Sequence, residues 1–567
     1  MRSIAFLLAL SAFPAPTLLA QDHAELGRMW TFENLPLAWF KEAYDFQPST
    51  EWLEKVRLSA LRFGNGCSAS FVSPRGLIMT NHHCARAYVA QVSPKDQDWL
   101  GDGFFSKSVE DEVQIPDLKV RQLVHMRDVT ADMNDGVAEL EDATERQAKL
   151  AENRKRVEAA AKEKTPDLEH QLITLYQGGM YQLYSYKVYS DIRLVGTPHL
   201  QCAKFGGDPD NFTYPRFGLD FAFVRAWENG RPADTSKHYY KWRTAGPDEN
   251  ETVFVVGNPG STGRLKSIAQ MEYLRDEQYP AVVASLEQRL KQMYEMANRS
   301  EEQGKALRAQ ILSVENSRKA VQGYLDGLRD ERVMAVKRKA EQAAREALKA
   351  NAELSQRLGD PWVELEELCA KKRQDPRAAR GRELRAEEDA LEKRIGEAFF
   401  ALYGTTISPD ATFSLRLADG VVKPFPSNGT IAPWFTSLYG LYARHTEFGG
   451  KPPFDLPQAW LDREKALDLK TPFNLVSTCD IIGGNSGSPM IDKEARIVGL
   501  IFDGNIEMLA NNYVFTDEVA RSVSVHPAII VAALRKVYDV PQLADEIEGS
   551  RGRVPVETRN KQPAQIR

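Results

Sequence analysis

"CDIIGGNSGSPMID", residues 479–492, sets Ser486 among glycines and an asparagine. A tight turn selects Gly, Asn and Ser for backbone reasons alone. A serine hydrolase places the same residues around its attacking hydroxyl, so that peptide N–H groups can face an oxyanion. By itself the stretch leaves the two readings level. A nucleophile at Ser486 demands a base, an orienting acid and a suitable compartment from elsewhere in the chain.

Working outward, "GLIMTNHHCA" places His82 and His83 at the end of a predicted strand, directly before Cys84. Cys67 and Cys84 flank an apparent strand–turn–strand and are expected to pair, which would hold the neighbouring histidine on a stiff support, as a general base requires. A zinc site made of His82, His83 and Cys84 is disfavoured. Adjacent residues on a strand face opposite sides, and no second cluster of ligand spacing exists. "FGGDPDNFTYPRFGLDFAFVRAW" offers three acids, Asp208, Asp210 and Asp220. Asp220 leads into an apolar strand-like run, so its carboxylate should be buried, and a buried charge needs a partner such as an imidazole N–H. Asp208 and Asp210 sit in a Gly/Pro loop and read as turn-formers. The order His83, Asp220, Ser486 is that of chymotrypsin-type enzymes, unlike subtilisins or α/β-hydrolases.

Composition sets the frame for this set. A chain of 567 residues is expected to divide into two or three domains. With 43% apolar and 27% charged residues it has the balance of a soluble globular protein. The net charge of -6 gives no reason to expect a nucleic-acid partner. "MRSIAFLLALSAFPAPTLLA" reads as a secretory signal peptide over residues 1–20, cut before Gln21. No later segment is long and apolar enough to span a bilayer. The mature chain is therefore expected to be exported, periplasmic or at the cell surface, where disulfides are permitted. Of the five cysteines, spacing leaves Cys202, Cys369 and Cys479 unassigned.

Texture divides the chain further. A β pattern over about 63–130 gives way to a charged helical insertion at 131–190, and strand texture returns at "DIRLVG", "DFAFVRAW" and "ETVFVVGNPG". Residues 265–403 read as helical almost throughout, with Leu286, Leu290 and Met293, and again Val321, Leu325 and Leu328, on helical spacing. Strands resume in 404–547, which closes on the helix "PAIIVAALRKVY", and residues 548–567 read as a disordered tail. The expectation is a first catalytic part at 21–264, a helical domain at 265–403 and a second catalytic part at 404–547.

With these residues in hand, the chain resembles the bacterial dipeptidyl-peptidase 7 and dipeptidyl-peptidase 11 family of exported serine exopeptidases. The resemblance is carried by "GRMWTFENLP", "GLIMTNHHC", "GGDPDNFTYPRFGLDF", "GNPGSTGR", "FPSNGTIAPWFTSLYGLYARH", "GGNSGSP" and "GLIFDGNIE". It implies a β-rich body, a chymotrypsin-like double β-barrel, with an inserted α-helical cap domain that is shorter here than usual. It also implies His83 as general base, Asp220 as its orienting acid, Ser486 as nucleophile, and the backbone N–H groups of Gly484 and Ser486 as oxyanion hole. No metal or organic cofactor is called for.

A dipeptidyl-peptidase must recognise a free α-ammonium two residues from the bond it cuts, and a buried ammonium needs acceptors. By resemblance Asn211, Phe212, Asn316 and Asp503 form that anchor. Asn316 gains support from its own helix, four residues from both Leu312 and Ala320 on an otherwise apolar face. Phe212 stands where the family usually has Trp. Gly504, in the P1 pocket, stands where acidic-specific members carry Arg, so an apolar or aromatic P1 residue is expected. The partners implied are peptides with a free N-terminus, and the resemblance makes a homodimer reasonable. Two rival readings are an exported trypsin-like endopeptidase and a catalytically silent peptide-binding relative.

Overall fold

The computed structural model describes residues 23–137, 139–140 and 142–549. The signal peptide read at 1–20 lies outside them, as does the tail from residue 550 on. Glu548, assigned to that tail, instead ends the helix Pro541–Glu548.

Two sheets form the body. Eleven strands between Ala60 and Pro232 make the first. Its centre pairs Ala60–Phe63 with Cys67–Phe71, then Leu77–Thr80, then Ala222–Glu228, all antiparallel. Nine strands make the second: Met29–Trp30 at one edge, and the rest between Lys241 and Val525. Neither sheet's run of pairings returns from its last strand to its first among the described residues. The β-rich body is therefore present, whereas the closed barrels implied by the resemblance are not found.

The apolar runs make strands because both faces are covered. In Thr252–Gly257, Val253 and Val255 join one buried cluster while Phe254 and Val256 join another. In Ala222–Glu228, Phe223 points into the second of these, with Leu77 and Met79 of the first sheet and Leu500, Val523 and Val525 of the other. Ala222, Val224 and Ala226 point away into the first sheet's own core. The period of two thus yields one core shared by the sheets and one behind each.

From Ile268 to Tyr403 the chain is helical. Leu290 and Met293 of the helix Tyr279–Ala297 bury against Ile311 and Val314 of Glu301–Arg329, as their spacing predicts. Two glycines dock the latter helix on the body. A Cβ on Gly323 would lie 2.2 Å from Leu509 Cδ1, and one on Gly327 would lie 3.0 Å from Ala510 Cα. The expectation of a helical insertion over 131–190 holds only in its first half. After the helix Ala143–Lys164, strands Glu169–Leu175 and Met180–Tyr189 form an antiparallel hairpin. The charged helix formers stop at Lys164, and the following "HQLITLYQGGMYQLYSYKVY" is aromatic and β-branched around a Gly-Gly turn.

Candidate active site

His83 lies just inside a helix, not at a strand end. Leu77–Thr80 finishes three residues earlier, Asn81 is extended, and His82–Val92 is helical with His82, Ala85 and Val89 buried. The pairing of Thr80 with Ala222 brings the start of that helix beside Asp220. Asp220 Oδ2 lies 2.6 Å from His83 Nδ1, and Oδ1 accepts the His83 backbone N–H at 3.0 Å. The Asn81 side chain donates to the Asp220 carbonyl at 2.8 Å. Burial alone would push the Asp220 carboxyl up, but His83 outweighs it by charge and hydrogen bond, and the carboxyl is held below the ordinary range. Asp220 is therefore an anion at neutral pH, and it leaves Nε2 as the free ring nitrogen. Burial brings His82 down to about 4, so its ring is neutral.

Ser486 sits in the loop between Ser477 and Pro489. Both readings of that stretch meet here, because it is a tight turn with a specific output. Gly484 has φ +103 and Gly487 φ +87, and a Cβ at either would strike backbone within 2.5 Å. Asn485, Gly487 and Ser488 donate their amides to Ile482, Ile501 and Asn485 carbonyls at 3.0, 2.9 and 2.8 Å. The amides of Gly484 and Ser486 donate to no protein group among the described residues. The peptide units that carry them are nonetheless fixed from the carbonyl side. Gly483 O accepts from Gly260 N–H at 2.7 Å, and Asn485 O from Ser488 N–H at 2.8 Å. Two free, pre-aimed amides are what a developing oxyanion requires.

One cavity of about 340 Å³ collects these groups. It is lined by His83, Asp220, Gly484 and Ser486 together with Asn211, Phe212, Asn316, Asp503 and Gly504. Among the described residues the Ser486 hydroxyl makes no hydrogen bond with His83. Hydrogen bonds of this kind commonly tighten only when substrate binds. Asn211 donates to Asn316 Oδ1 at 3.1 Å, so the helix Glu301–Arg329 closes one side. Asp503 accepts from the Phe212 amide at 3.1 Å and the Gly504 amide at 2.9 Å. Phe212 has φ 52, a left-handed backbone that aims its amide at that carboxylate. A Cβ on Gly504 would lie 2.3 Å from Met508 Cε, so the thioether fills the room a larger side chain would need.

Three neighbours escaped the sequence reading. Arg216 donates to Asp503 Oδ2 at 2.7 Å with both side chains buried. Asp503 is therefore a neutralised carboxylate, not a lone anion. Arg86, one helical turn beyond His82, lines the cavity with no hydrogen bond or ion pair among the described residues. Ser68 ties the sheets together at the site: its amide donates to Ser486 O at 2.8 Å and its hydroxyl to Gly484 O at 2.9 Å. Only the position of Ser68 after Cys67 could have flagged it. Asp208 and Asp210, read as turn-formers, also make ion pairs, with Arg318 at 3.1 Å and Arg444 at 2.9 Å.

Cys67 and Cys84 are joined, with Cα atoms 6.2 Å apart, while Cys202, Cys369 and Cys479 are buried thiols. The one His/Cys/acid group close enough to hold a metal among the described residues is Cys67, His83 and Cys84. The disulfide leaves its sulfurs no thiolate to offer. No described helix is long and apolar enough to cross a membrane.

Comparison with known proteins bears on this geometry. The family model described as Peptidase S46 matches residues 24–381 and 375–549. The Asp/Glu-specific dipeptidyl-peptidase of Flavobacterium psychrophilum is 36% identical over 240 residues, 40% of this chain and 33% of that one. That of Capnocytophaga gingivalis is 32% identical, covering 52% and 43%. This chain thus spans less than half the length of those two relatives. Dipeptidyl-peptidase 7 of Phocaeicola vulgatus is 24% identical, covering 86% of this chain and 90% of that one. Among solved structures, Porphyromonas endodontalis DPP11 in complex with the dipeptide Arg-Asp superposes with TM-score 0.79. It is 18% identical and covers 92% of this chain and 99% of that one, a likeness of fold.

Proposed function

This chain belongs to the peptidase S46 family, and from that premise we propose that it is a serine dipeptidyl-peptidase. It would release dipeptides from the free N-terminus of peptides. The observation that carries the reading is the His83–Asp220 contact of 2.6 Å in a cavity also lined by Ser486. In the proposed reaction His83 Nε2 takes the Ser486 hydroxyl proton while the oxygen attacks the second peptide carbonyl. The Gly484 and Ser486 amides receive the oxyanion. The scissile C–N bond then breaks, and the leaving amine takes the proton from His83. Water, deprotonated by the same ring, releases the dipeptide from the acyl-serine. No step calls for a cofactor.

The substrate's α-ammonium would sit among Asn211, Phe212, Asn316 and Asp503. Arg216 already offsets Asp503, so the two asparagine carbonyl groups would carry much of the anchoring. This predicts that acetylating the substrate's N-terminus abolishes turnover. Equal cleavage of free and acetylated substrates would favour the endopeptidase reading. A silent relative would fail to react with a fluorophosphonate, whereas the proposed enzyme is labelled and Ser486→Ala is not.

For P1 the proposal is an apolar or aromatic residue, supported by Gly504 and by Met508 beside it. A second reading, acidic P1, is favoured by the unpaired Arg86 in the same cavity and by relatives named Asp/Glu-specific. A panel of X-Leu, X-Phe, X-Asp and X-Glu fluorogenic dipeptides separates them. X-Asp cleaved as fast as X-Leu sinks the apolar proposal, and loss of X-Asp turnover in Arg86→Gln would then name the cation responsible.

We infer further that the two sheets stand for the two barrels of a chymotrypsin-like body, with residues 265–403 as the cap between catalytic parts 21–264 and 404–547. Support comes from His83 and Asp220 lying beside the paired strand ends Thr80 and Ala222 of one sheet and Ser486 beside the other. Export to the periplasm or cell surface, and a homodimer, belong to the same proposal. They rest on the N-terminal sequence and the family.

A further inference from the structure

We propose that a second cavity, of about 930 Å³, receives acidic side chains of the polypeptide downstream of the scissile bond. This rests on the dipeptidyl-peptidase reading above. A protein that cuts two residues from a chain must accommodate the remainder beyond the scissile bond. The larger cavity is within the ~300–1,000 Å³ of ordinary ligand sites.

Its place fits. One wall is Ser261–Gly263, which continues directly from Gly260, whose N–H holds the Gly483 carbonyl at 2.7 Å. The cavity therefore adjoins the back of the loop that carries Gly484 and Ser486. The opposite walls come from the helices Ile268–Tyr273, Tyr279–Ala297, Pro361–Gln374 and Arg382–Tyr403.

Its charge gives the class of ligand. Lys266, Lys372, Arg373, Arg380 and Arg385 line it against Glu277 and Glu388. The lysines are spoken for: Lys266 meets Glu392 at 2.7 Å, and Lys372 meets Glu388. The side chains of Arg373, Arg380 and Arg385 make no hydrogen bond or ion pair among the described residues, although Arg373 acts on Asp276 and Arg385 on Asp389 at longer range. In a chain with 79 acidic and 73 basic residues, partners for arginine are plentiful. Three guanidinium groups with no direct hydrogen-bonded acid, facing a single concavity, suit carboxylates arriving from outside, which they can grip bidentately. The bland account is a solvated basic face, and it predicts no preference among substrate tails.

The test compares one dipeptide, Ala-Leu, followed by four Glu, by four Lys, or by aminomethylcoumarin alone. Exposed charge pairs are weak singly, so three should favour the Glu tail over the Lys tail by about tenfold in kcat/KM at low salt. The ratio should shrink in ~1 M NaCl, where the screening length is about 3 Å. In Arg373→Gln/Arg380→Gln/Arg385→Gln it should fall to about one. A ratio near one in the unsubstituted protein, with the coumarin substrate still cleaved, overturns the cavity proposal alone. So does a ratio that survives the triple substitution. If neither this coumarin substrate nor its Ala-Asp counterpart is cleaved at all, the dipeptidyl-peptidase reading is what fails. Fluorescence anisotropy of a labelled tetra-Glu peptide then decides the cavity: binding lost in the triple variant supports it, and unchanged or absent binding refutes it.

Discussion

Replacing Asp220 with Asn should stop the reaction without unfolding the protein. The carboxylate has two jobs in the structure. Its Oδ1 accepts the His83 amide at 3.0 Å, and its Oδ2 accepts from His83 Nδ1 at 2.6 Å. An asparagine can keep the first contact with its carbonyl oxygen, which turns its NH2 group toward Nδ1. Two donors cannot share that contact, so the ring proton moves to Nε2. The nitrogen meant to take the Ser486 proton is then already protonated. The imidazolium formed during attack also loses the carboxylate that stabilises it. A wrong tautomer of this kind costs about 10⁴ in kcat in the serine-protease precedent, or about 5.5 kcal/mol of barrier at 1.36 kcal/mol per decade. The assay is hydrolysis of a free-amine dipeptidyl coumarin at saturating substrate, beside a thermal melt of both proteins. The expected result is loss of kcat by about four decades with KM little changed and the melt within a few degrees. A variant that keeps more than a tenth of the activity would refute the assignment of His83 as base.

Gly487→Ala should destabilise the protein. The added Cβ would lie 2.0 Å from the Ser68 carbonyl oxygen at φ +87, so roughly 1–3 kcal/mol of backbone strain comes on top of the clash. Gly483→Ala, whose Cβ meets nothing within 4 Å, should be near neutral, and urea unfolding compares the two. Arg225 meets Glu112, with both buried, and the half-buried Glu546, each at 2.7 Å. Arg225→Met strands the buried Glu112 carboxylate, while Glu546 keeps Arg75 at 3.1 Å and the Ser73 hydroxyl at 2.7 Å, and should cost about 3–5 kcal/mol by the same measurement. Burial would raise Glu546, but its hydrogen bond and ion pair with Arg225 outweigh that and hold it below the ordinary carboxylate value. Its stabilisation is therefore complete above about pH 4.3, the unfolded value, and is lost as pH falls through the lower folded value. The gap in melting temperature between the unsubstituted protein and Glu546→Gln should be constant from pH 8 to 5 and close toward pH 3.

Much of this architecture could be read locally. "TVFVVG" and "AFV" at the head of the strand Ala222–Glu228 are strands because both of their faces are buried, and an apolar run is the signature of that. Helix formers on a 3.6 period over 265–403 were equally plain. The hairpin Glu169–Tyr189 was missed because the charged helix before it set the texture of the whole window. The helix at His82 was missed because "GLIMT" reads as strand to its end. Asn81 before His82, Ala85 and Val89, spaced i, i+3, i+7, carried the signal. Arg86, Arg216 and Ser68 were illegible for another reason. An arginine beside a catalytic carboxylate and one on a surface look the same until burial and partners are known.

The sequence by itself determined the residue types, the tight turn at Ser486 and the two glycines that turn cannot do without. It also determined the strands and helices, since these follow from periods of two and 3.6 along the chain. Only the tertiary structure decided that Asp220 meets His83, that the Gly484 and Ser486 amides stay free while their neighbours are bonded, and that Arg216 neutralises Asp503. Each of those contacts joins segments far apart in the chain. They depend on how two sheets share a core and how one helix docks through Gly323 and Gly327, and no local pattern of residues encodes a distance of that kind.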